Sequence, residues 1–219
     1  MIGVGRRGFV LGAAALSSVL ATGCGGGSGG GGVSADDMAL GSADAPVTII
    51  EYASVTCPLC KEFHDTVWPE LKTNYIDTGK ARFIFREYPA HYPQVATAGF
   101  QVARCGGVNT EQYFQRIDVL FNEQERITPP GPLNLANARE ALVNVGAAIG
   151  LSRDEVLECV RDEDGAARIR ETMKVGEDSF GITGTPTFIL NGRKVTDFNV
   201  YEYSAFARAI DDAIDAGAA

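Results

Sequence analysis

The chain has 219 residues, 45% of them hydrophobic, and a formal net charge of −9 at pH 7. This length and composition suit one globular domain with some additional segments. The acidic balance argues against binding of nucleic acid or of anionic membrane surfaces by the protein as a whole, and we expect neither kind of partner.

The first 23 residues have the pattern of an export signal. Two arginines, Arg6 and Arg7, precede an apolar stretch that ends at Ala21 and is too short to span a bilayer comfortably. The sequence that follows the arginine pair favours the twin-arginine export route, although two arginines would also supply the positive charge of an ordinary signal. We therefore expect residues 1–23 to be a signal peptide, and the protein to be exported to the periplasm or cell envelope.

Cys24 ends a Leu-Ala-Thr-Gly-Cys sequence that resembles a bacterial lipobox, in which the cysteine is lipidated and becomes the mature N-terminus. The alternative is ordinary signal cleavage after Ala21. The glycine-rich tract Gly25–Gly32 suits a flexible membrane tether, with a reach of roughly 5–6 Å times the square root of the number of residues. These features predict a membrane-tethered lipoprotein with a linker over residues 24–40.

One folded unit is expected over residues 41–216, because no internal repeat or second linker follows. In chain order the pattern predicts a strand at 47–52, a helix from near Cys57, a strand at 81–86, a mostly helical block at about 94–180, a β-hairpin turning at Asn191-Gly192, and a final amphipathic helix that includes Tyr203. The first strand, helix and strand favour a parallel pair with a right-handed crossover, and the hairpin adds antiparallel strands. The sequence therefore predicts an α/β fold, a mixed sheet flanked by helices, with a helical insertion.

The sequence Cys57-Pro58-Leu59-Cys60 places two sulfurs about one helical turn apart, close enough to form a disulfide. Cys57 falls at the predicted helix N-terminus, where unpaired backbone N–H groups and the helix dipole stabilise a thiolate, the nucleophilic form of cysteine. Cys60, one turn into the helix, should be more buried and act as the resolving thiol.

Two other interpretations of this motif are possible. Zinc and copper sites usually need a second Cys-x-x-Cys or paired histidines, and the chain has only His64 and His91. A purely structural disulfide gains little stability from so small a loop. We expect no metal and no cofactor, and a metal chaperone using Cys57, Cys60 and His64 is kept as a hypothesis that a metal assay would test.

The remaining cysteines are Cys105 and Cys159, in the predicted helical block. If Cys24 carries lipid, four cysteines remain, an even number in an exported protein. Cys57 and Cys60 can pair locally, which leaves Cys105 and Cys159 to pair with each other as a structural disulfide. The alternative is two buried free thiols.

Thr185-Pro186 stands at the start of the first hairpin strand. A cis peptide is possible there, although trans is the commoner form and an ordinary trans proline opening an edge strand is the simpler interpretation.

These motifs together resemble the DsbA-like branch of the thioredoxin superfamily. The resemblance covers residues 41–216 and rests on Glu51, on Cys57-Pro58-Leu59-Cys60-Lys61, and on Gly184-Thr185-Pro186-Thr187-Phe188 followed by Asn191-Gly192. It implies a thioredoxin-like fold in which Cys57 attacks, Cys60 resolves, Pro186 is a cis-proline facing the disulfide, and Thr185 contacts the substrate backbone. It also implies that Glu51 is a buried acid able to relay the proton of Cys60, the alternative being an ordinary polar residue at a strand end. We interpret His64 as a helix-surface or packing residue.

The resemblance implies a protein-disulfide oxidoreductase that acts on the cysteines of exported proteins. We expect a monomeric oxidase that a membrane quinone-linked partner reoxidises. Leu59 stands where the strongly oxidising members have histidine, so a DsbG-like reductase is an alternative. A third hypothesis is a non-catalytic lipoprotein that binds partners, against which the intact Cys-x-x-Cys motif argues.

Overall fold

A computed structural model describes residues 32–217 of the 219-residue chain. The predicted signal peptide, the lipidation site Cys24 and nearly all of the glycine-rich tract lie outside the described residues. Over residues 32–217, none of the helices combines the length and the apolar character needed to span a bilayer.

A five-stranded mixed sheet lies at the centre of the fold, in the strand order β1-β3-β2-β4-β5. Only β2 and β3 are parallel among these neighbours, and the other pairs are antiparallel. Nearly every residue of β2 and β3 is buried, because helices cover both faces of the sheet. The mixed sheet flanked by helices that the sequence predicts is confirmed. The strands are β1 Met38–Leu40, β2 Val47–Ala53, β3 Ala81–Glu87, β4 Thr187–Leu190 and β5 Arg193–Lys194.

Strand β1 corrects the predicted linker, which was expected to extend to residue 40. Its register pairs Met38 with Phe85 and Leu40 with Phe83 at the edge of the sheet. Asp37, just before it, forms a 2.8 Å ion pair with Arg86 of β3. Three residues without a β-branched side chain give too little local pattern to distinguish a strand from a linker.

The helices of the described part divide into those that pack next to the active-site strands and those of the insertion. α1 Pro58–Thr66 and α2 Trp68–Leu71 follow β2, and α9 Tyr203–Gly217 ends the described chain. The insertion between β3 and β4 contains α3 Pro93–Arg104, α4 Thr110–Asn122, α5 Gln124–Ile127, α6 Leu135–Ala148, α7 Arg153–Cys159 and α8 Glu163–Phe180.

The helix predicted from Cys57 is not continuous. α1 ends at Thr66, and α2 leads into a π-helical segment, Lys72–Ile76. Pro69 accounts for the break, because it has no N–H to bond to the preceding turn. Phe63, Val67 and Leu71 are nevertheless all fully buried, as their four-residue spacing predicts.

The turn between β4 and β5 brings the hairpin back beside the central strand. Asn191 and Gly192 have φ angles of 46° and 80°, which a two-residue hairpin turn of this type requires. Asn191 also accepts a 2.7 Å hydrogen bond from the backbone N–H of Thr48 in β2. The hairpin therefore fixes β4, and with it the Thr185-Pro186 segment, against the strand that precedes Cys57.

Candidate active site

The two cysteines of the Cys-x-x-Cys motif lie at the end of the central strand β2. Cys57 is the N-cap residue of α1, with extended backbone angles, and Pro58 to Cys60 form the first helical turn. Pro58 is tolerated there because its missing N–H would have no helical partner. The N–H of Cys57 donates to the carbonyl of Ser54 at 3.0 Å, which closes the turn between strand and helix.

Hydrogen bonds to the insertion and to the loop after β3 hold this turn in place. The buried amide of Gln124 donates to the carbonyls of Val55 and Cys57 at 2.9 and 3.1 Å. The Thr56 hydroxyl contacts the carbonyl oxygen of Ala90 at 2.8 Å, in the loop after β3. Gln124 was not singled out from the sequence, because its partners are backbone carbonyls 67 and 69 residues away in the chain.

Both sulfur-bearing side chains are shielded from solvent. Cys57 and Cys60 are each 0% exposed, whereas Leu59 between them is 48% exposed. Cys60 is the more deeply enclosed of the two, as predicted, since burial is the largest influence on its pKa but not on that of Cys57. A distant segment shields Cys57 from solvent, because its thiol donates to the carbonyl of Thr185 at 3.3 Å.

The Thr185–Pro186 peptide bond is cis. It lies just before β4, whose Thr187 is the register partner of Tyr52 in β2, and this pairing brings Thr185 to Cys57. The Thr185 hydroxyl oxygen is buried and has no hydrogen-bond partner among residues 32–217. It is therefore available to donate to Cys57 when that sulfur is a thiolate.

The surroundings of Cys57 favour its thiolate form. Its pKa is lowered from 9.0 to about 5, chiefly by a hydrogen bond from the Cys60 thiol. Burial opposes this shift, whereas the Thr185 hydroxyl and the backbone N–H groups of Cys60 and Leu59 add to it. Those two N–H groups belong to the first turn of α1, so the predicted effect of the helix N-terminus is present but is not the largest cause.

Cys60 has the opposite character. Burial, the hydrogen bond with Cys57 and the negative charge of Glu51 raise its pKa well above 9.0. The backbone N–H of Ser54 contacts the Cys60 sulfur at 3.4 Å and partly opposes this rise. The two thiols therefore differ strongly in acidity, and Cys60 needs a base whenever it is to act as a nucleophile.

Glu51 and His64 form a buried pair beneath the cysteines. Glu51 is 0% exposed in β2, and its Oε2 lies 2.9 Å from Nε2 of His64. Burial raises the pKa of Glu51, and His64 opposes that rise. Of the two interpretations of His64, a surface or a packing residue, the structure supports packing, since His64 is 7% exposed and its ring stacks on Phe121 at 4.4 Å between centroids. The sequence signal for this position was the four-residue spacing from Cys60 to His64, which puts both side chains on one helix face.

The other cysteine pair lies in the insertion. Cys105 and Cys159 form a disulfide with a Cα–Cα distance of 5.7 Å, and it joins the end of α3 to the end of α7. Cys57 and Cys60 are free thiols in this structure. Across the described part of the chain, no group of three or more His, Cys, Asp or Glu residues is arranged to hold a metal ion.

A groove of about 530 Å³ opens beside the first turn of α1. Its walls are α1 with Pro58 and Lys61, the loop after β3 with His91 and Tyr92, and the segment after α5. Neither cysteine lines this groove, so it adjoins the active-site turn rather than the sulfur atoms themselves.

Comparisons with known proteins match this arrangement. A thioredoxin family model matches residues 34–212. A Rickettsia bellii protein named as a candidate protein-disulfide oxidoreductase is 32% identical over 186 residues, or 82% of this chain and 65% of that protein. This chain thus spans less than two thirds of the length of that relative. Disulfide bond formation protein D of Bacillus subtilis is 24% identical over 168 residues, covering 74% of this chain and 71% of its own length.

Among solved structures, α-DsbA1 of Wolbachia pipientis superposes with a TM-score of 0.74 and 28% sequence identity. The superposition covers 84% of this chain and 94% of that structure. BdbD of Bacillus subtilis, in its oxidised form, superposes with a TM-score of 0.61 and 20% identity, covering 82% of this chain and 93% of its own.

Proposed function

The chain belongs to the thioredoxin family as a DsbA-like member, and on that premise we propose that it catalyses thiol–disulfide exchange with cysteine-containing proteins. The observation that carries this proposal is the unequal acidity of two adjacent thiols, Cys57 with a pKa of about 5 and Cys60 with a strongly raised pKa. Cys57 is the exchanging sulfur and Cys60 closes or opens the active-site disulfide. Thr185 and cis-Pro186 contact the client backbone beside them.

The oxidase direction starts from the Cys57–Cys60 disulfide. A client thiolate attacks the Cys57 sulfur, the bond between the two active-site sulfurs breaks, and Cys60 leaves with the electron pair. A second client thiolate then attacks the client sulfur of the mixed disulfide, and Cys57 leaves as a thiolate. The client has lost two electrons to this protein and holds a new disulfide.

The acidity of Cys57 favours this direction over reduction. A thiolate that is stabilised in the dithiol form makes that form easier to reach, so the disulfide is readily given up. Leu59 favours the other direction, because a neutral side chain at this position adds nothing to thiolate stability. A reductase is therefore the second candidate.

The setting that we propose is the cell envelope. The signal-like residues 1–23 support export, and lipidation of Cys24 would tether the domain through the glycine-rich tract to a membrane. A tethered monomer would stay within reach of a membrane quinone-linked partner, which would restore the Cys57–Cys60 disulfide after each cycle.

The decisive experiment is the reduction potential of the Cys57–Cys60 couple in glutathione buffers, together with oxidation of a reduced two-cysteine peptide. A potential near that of the oxidase DsbA, about −120 mV, supports the oxidase, and one near that of thioredoxin, about −270 mV, supports the reductase. Cys57→Ser should abolish exchange, and Cys60→Ser should accumulate the mixed disulfide with the peptide. Failure of the wild-type protein to form any mixed disulfide would refute exchange in either direction.

A further inference from the structure

The buried pair beneath the cysteines has two atoms without partners. Nε2 of His64 and Oε2 of Glu51 are 2.9 Å apart. The other polar atoms of the two groups, Nδ1 of His64 and Oε1 of Glu51, are buried and have no hydrogen-bond partner among residues 32–217. Buried polar atoms are almost always paired, so two such atoms in one pair need an explanation.

The unpartnered Nδ1 atom of His64 indicates where the imidazole hydrogen is. A neutral imidazole carries one hydrogen, on either Nδ1 or Nε2. On Nδ1 it would be an orphaned buried N–H donor, which is rarer in proteins than an orphaned acceptor. We therefore assign the hydrogen to Nε2 of His64, where it donates to Oε2 of Glu51.

This assignment gives the two carboxylate oxygens different tasks. Oε2 is occupied by the His64 N–H, whereas Oε1 is free to accept a proton. Cys60 and His64 are four residues apart on α1, so both side chains point from one helix face towards β2 and Glu51. The negative charge of Glu51 is one of the causes that raise the pKa of Cys60, so the two groups act on each other electrostatically.

We propose that His64 is a positioning residue for disulfide exchange, which holds Oε2 of Glu51 with its Nε2–H and so reserves Oε1 for the proton of Cys60. The inference rests on the exchange reaction proposed above. When Cys60 resolves a mixed disulfide, its proton passes to Oε1 and its electron pair forms the bond to the Cys57 sulfur. The client sulfur leaves as a thiolate with the pair of the broken bond, so the client is reduced and the two cysteines are oxidised. In the oxidase direction Cys60 leaves as a thiolate and takes the proton back.

The surroundings of His64 favour this role over packing alone. Its ring stacks on Phe121 and makes further ring contacts with Phe63, Trp68 and Phe85. A phenylalanine or leucine would fill such an apolar enclosure without the penalty of burying a polar ring. The polar group that the imidazole satisfies there is the carboxylate of Glu51.

Few other charged or titratable groups act on this pair. Both strand neighbours of Glu51 are phenylalanines, Phe85 in β3 and Phe188 in β4, and neither can donate to the carboxylate. The titratable groups that face the pair electrostatically are Cys57 and Cys60 on α1, Asp118 on α4 and Tyr201 before α9. Of the hydrogen bonds within residues 32–217, the one that Glu51 accepts through its side chain comes from His64.

The test follows the resolving step alone. The Cys57 mixed disulfide with glutathione is prepared, and the release of glutathione by Cys60 is followed in a single turnover from pH 5 to pH 9. His64→Leu removes the hydrogen-bond donor to Glu51, so the pKa of Glu51 rises. Glu51 is then ionised, and able to take the proton of Cys60, only at higher pH. We expect resolution at pH 7 to slow about tenfold or more, within the range of general-base effects, and its pH midpoint to move upward. His64→Gln keeps an N–H donor and should restore most of the rate.

Two controls separate positioning from packing. Phe121→Leu loosens the ring that stacks on His64 but leaves its N–H, so it should lower the melting temperature without moving the pH midpoint. Glu51→Gln should slow resolution as His64→Leu does, and the double variant should be no slower than Glu51→Gln alone. Alkylation of Cys57 by iodoacetamide should change less than twofold in His64→Leu, because the hydrogen bonds that lower the pKa of Cys57 come from elsewhere.

The outcomes distinguish this inference from the proposed function. If the wild-type protein releases no glutathione, the exchange chemistry itself is wrong. If it does, but His64→Leu keeps the wild-type pH midpoint, His64 does not position Glu51. Should His64→Leu fail to fold, ¹⁵N NMR of the histidine in the wild-type protein decides, because a hydrogen found on Nδ1 rather than Nε2 overturns the proposal.

Discussion

Removing the Cys60 thiol should raise the pKa of Cys57, because the hydrogen bond from Cys60 is the largest cause that holds that pKa at about 5. Hydrogen bonds to charged groups are worth ~1.5–3 kcal/mol, and one pH unit corresponds to ~1.4 kcal/mol. Cys60→Ala should therefore bring the pKa of Cys57 to about 6–7. Cys60→Ser is the matched variant, since its hydroxyl still donates, and it should stay closer to the wild-type value.

The assay is the thiolate absorbance of each variant against pH, repeated as the rate of alkylation by iodoacetamide. Cys57→Ser provides the control for Cys60, whose raised pKa predicts no titration below pH 9. If Cys60→Ala and Cys60→Ser titrate at the same pH, the thiol hydrogen bond does not set the acidity. The Thr185 hydroxyl and the N–H groups of the first helical turn would then be sufficient.

Three further results are expected. The reduction potential should fall by ~30 mV per pH unit above pH 5 and by ~59 mV per pH unit below it, because Cys57 takes up no proton on reduction above its pKa. A single slope over the whole pH range would contradict the lowered pKa of Cys57. Leu59→His should raise the potential in a glutathione titration, since a partly cationic imidazole stabilises the thiolate, and an unchanged or lower value shows that other groups set it. Replacing Cys105 and Cys159 by alanine should lower the free energy of unfolding by up to ~4 kcal/mol in urea titrations while exchange persists; a folded variant without activity would place this pair in the electron path.

Features that depend on short stretches of sequence were predicted well. The strands β2 and β3 are apolar and β-branched, and their predicted ends lie within one residue of those observed. Ser152 forms a capping box with Glu155 at the start of α7, a pattern that a serine and a glutamate three residues apart indicate in the sequence. Each of these patterns is complete within about ten residues, so local propensity alone determines it.

Contacts between distant segments were predicted less well. The shielding of Cys57 comes from a carbonyl 128 residues later, in the cis segment before β4. The bonds from Gln124 to the active-site turn span more than 60 residues and end on backbone atoms. Backbone acceptors have no residue-type signature, because every residue supplies a carbonyl. Such contacts become visible only when the sheet register and the helix packing are known.

The partner of Glu51 illustrates the same limit in a single residue. His64 is four residues after Cys60, so the sequence already placed it on the reactive face of α1. The sequence could not show that α4 closes over this face, with Phe121 stacked on the imidazole and excluding water from it. Exposed on a helix, the same histidine would make only weak contact with a carboxylate. Enclosed by rings from several elements, the imidazole has Glu51 as its hydrogen-bond partner, and it is this enclosure as a whole, rather than any one ring, that sets the pair apart from solvent.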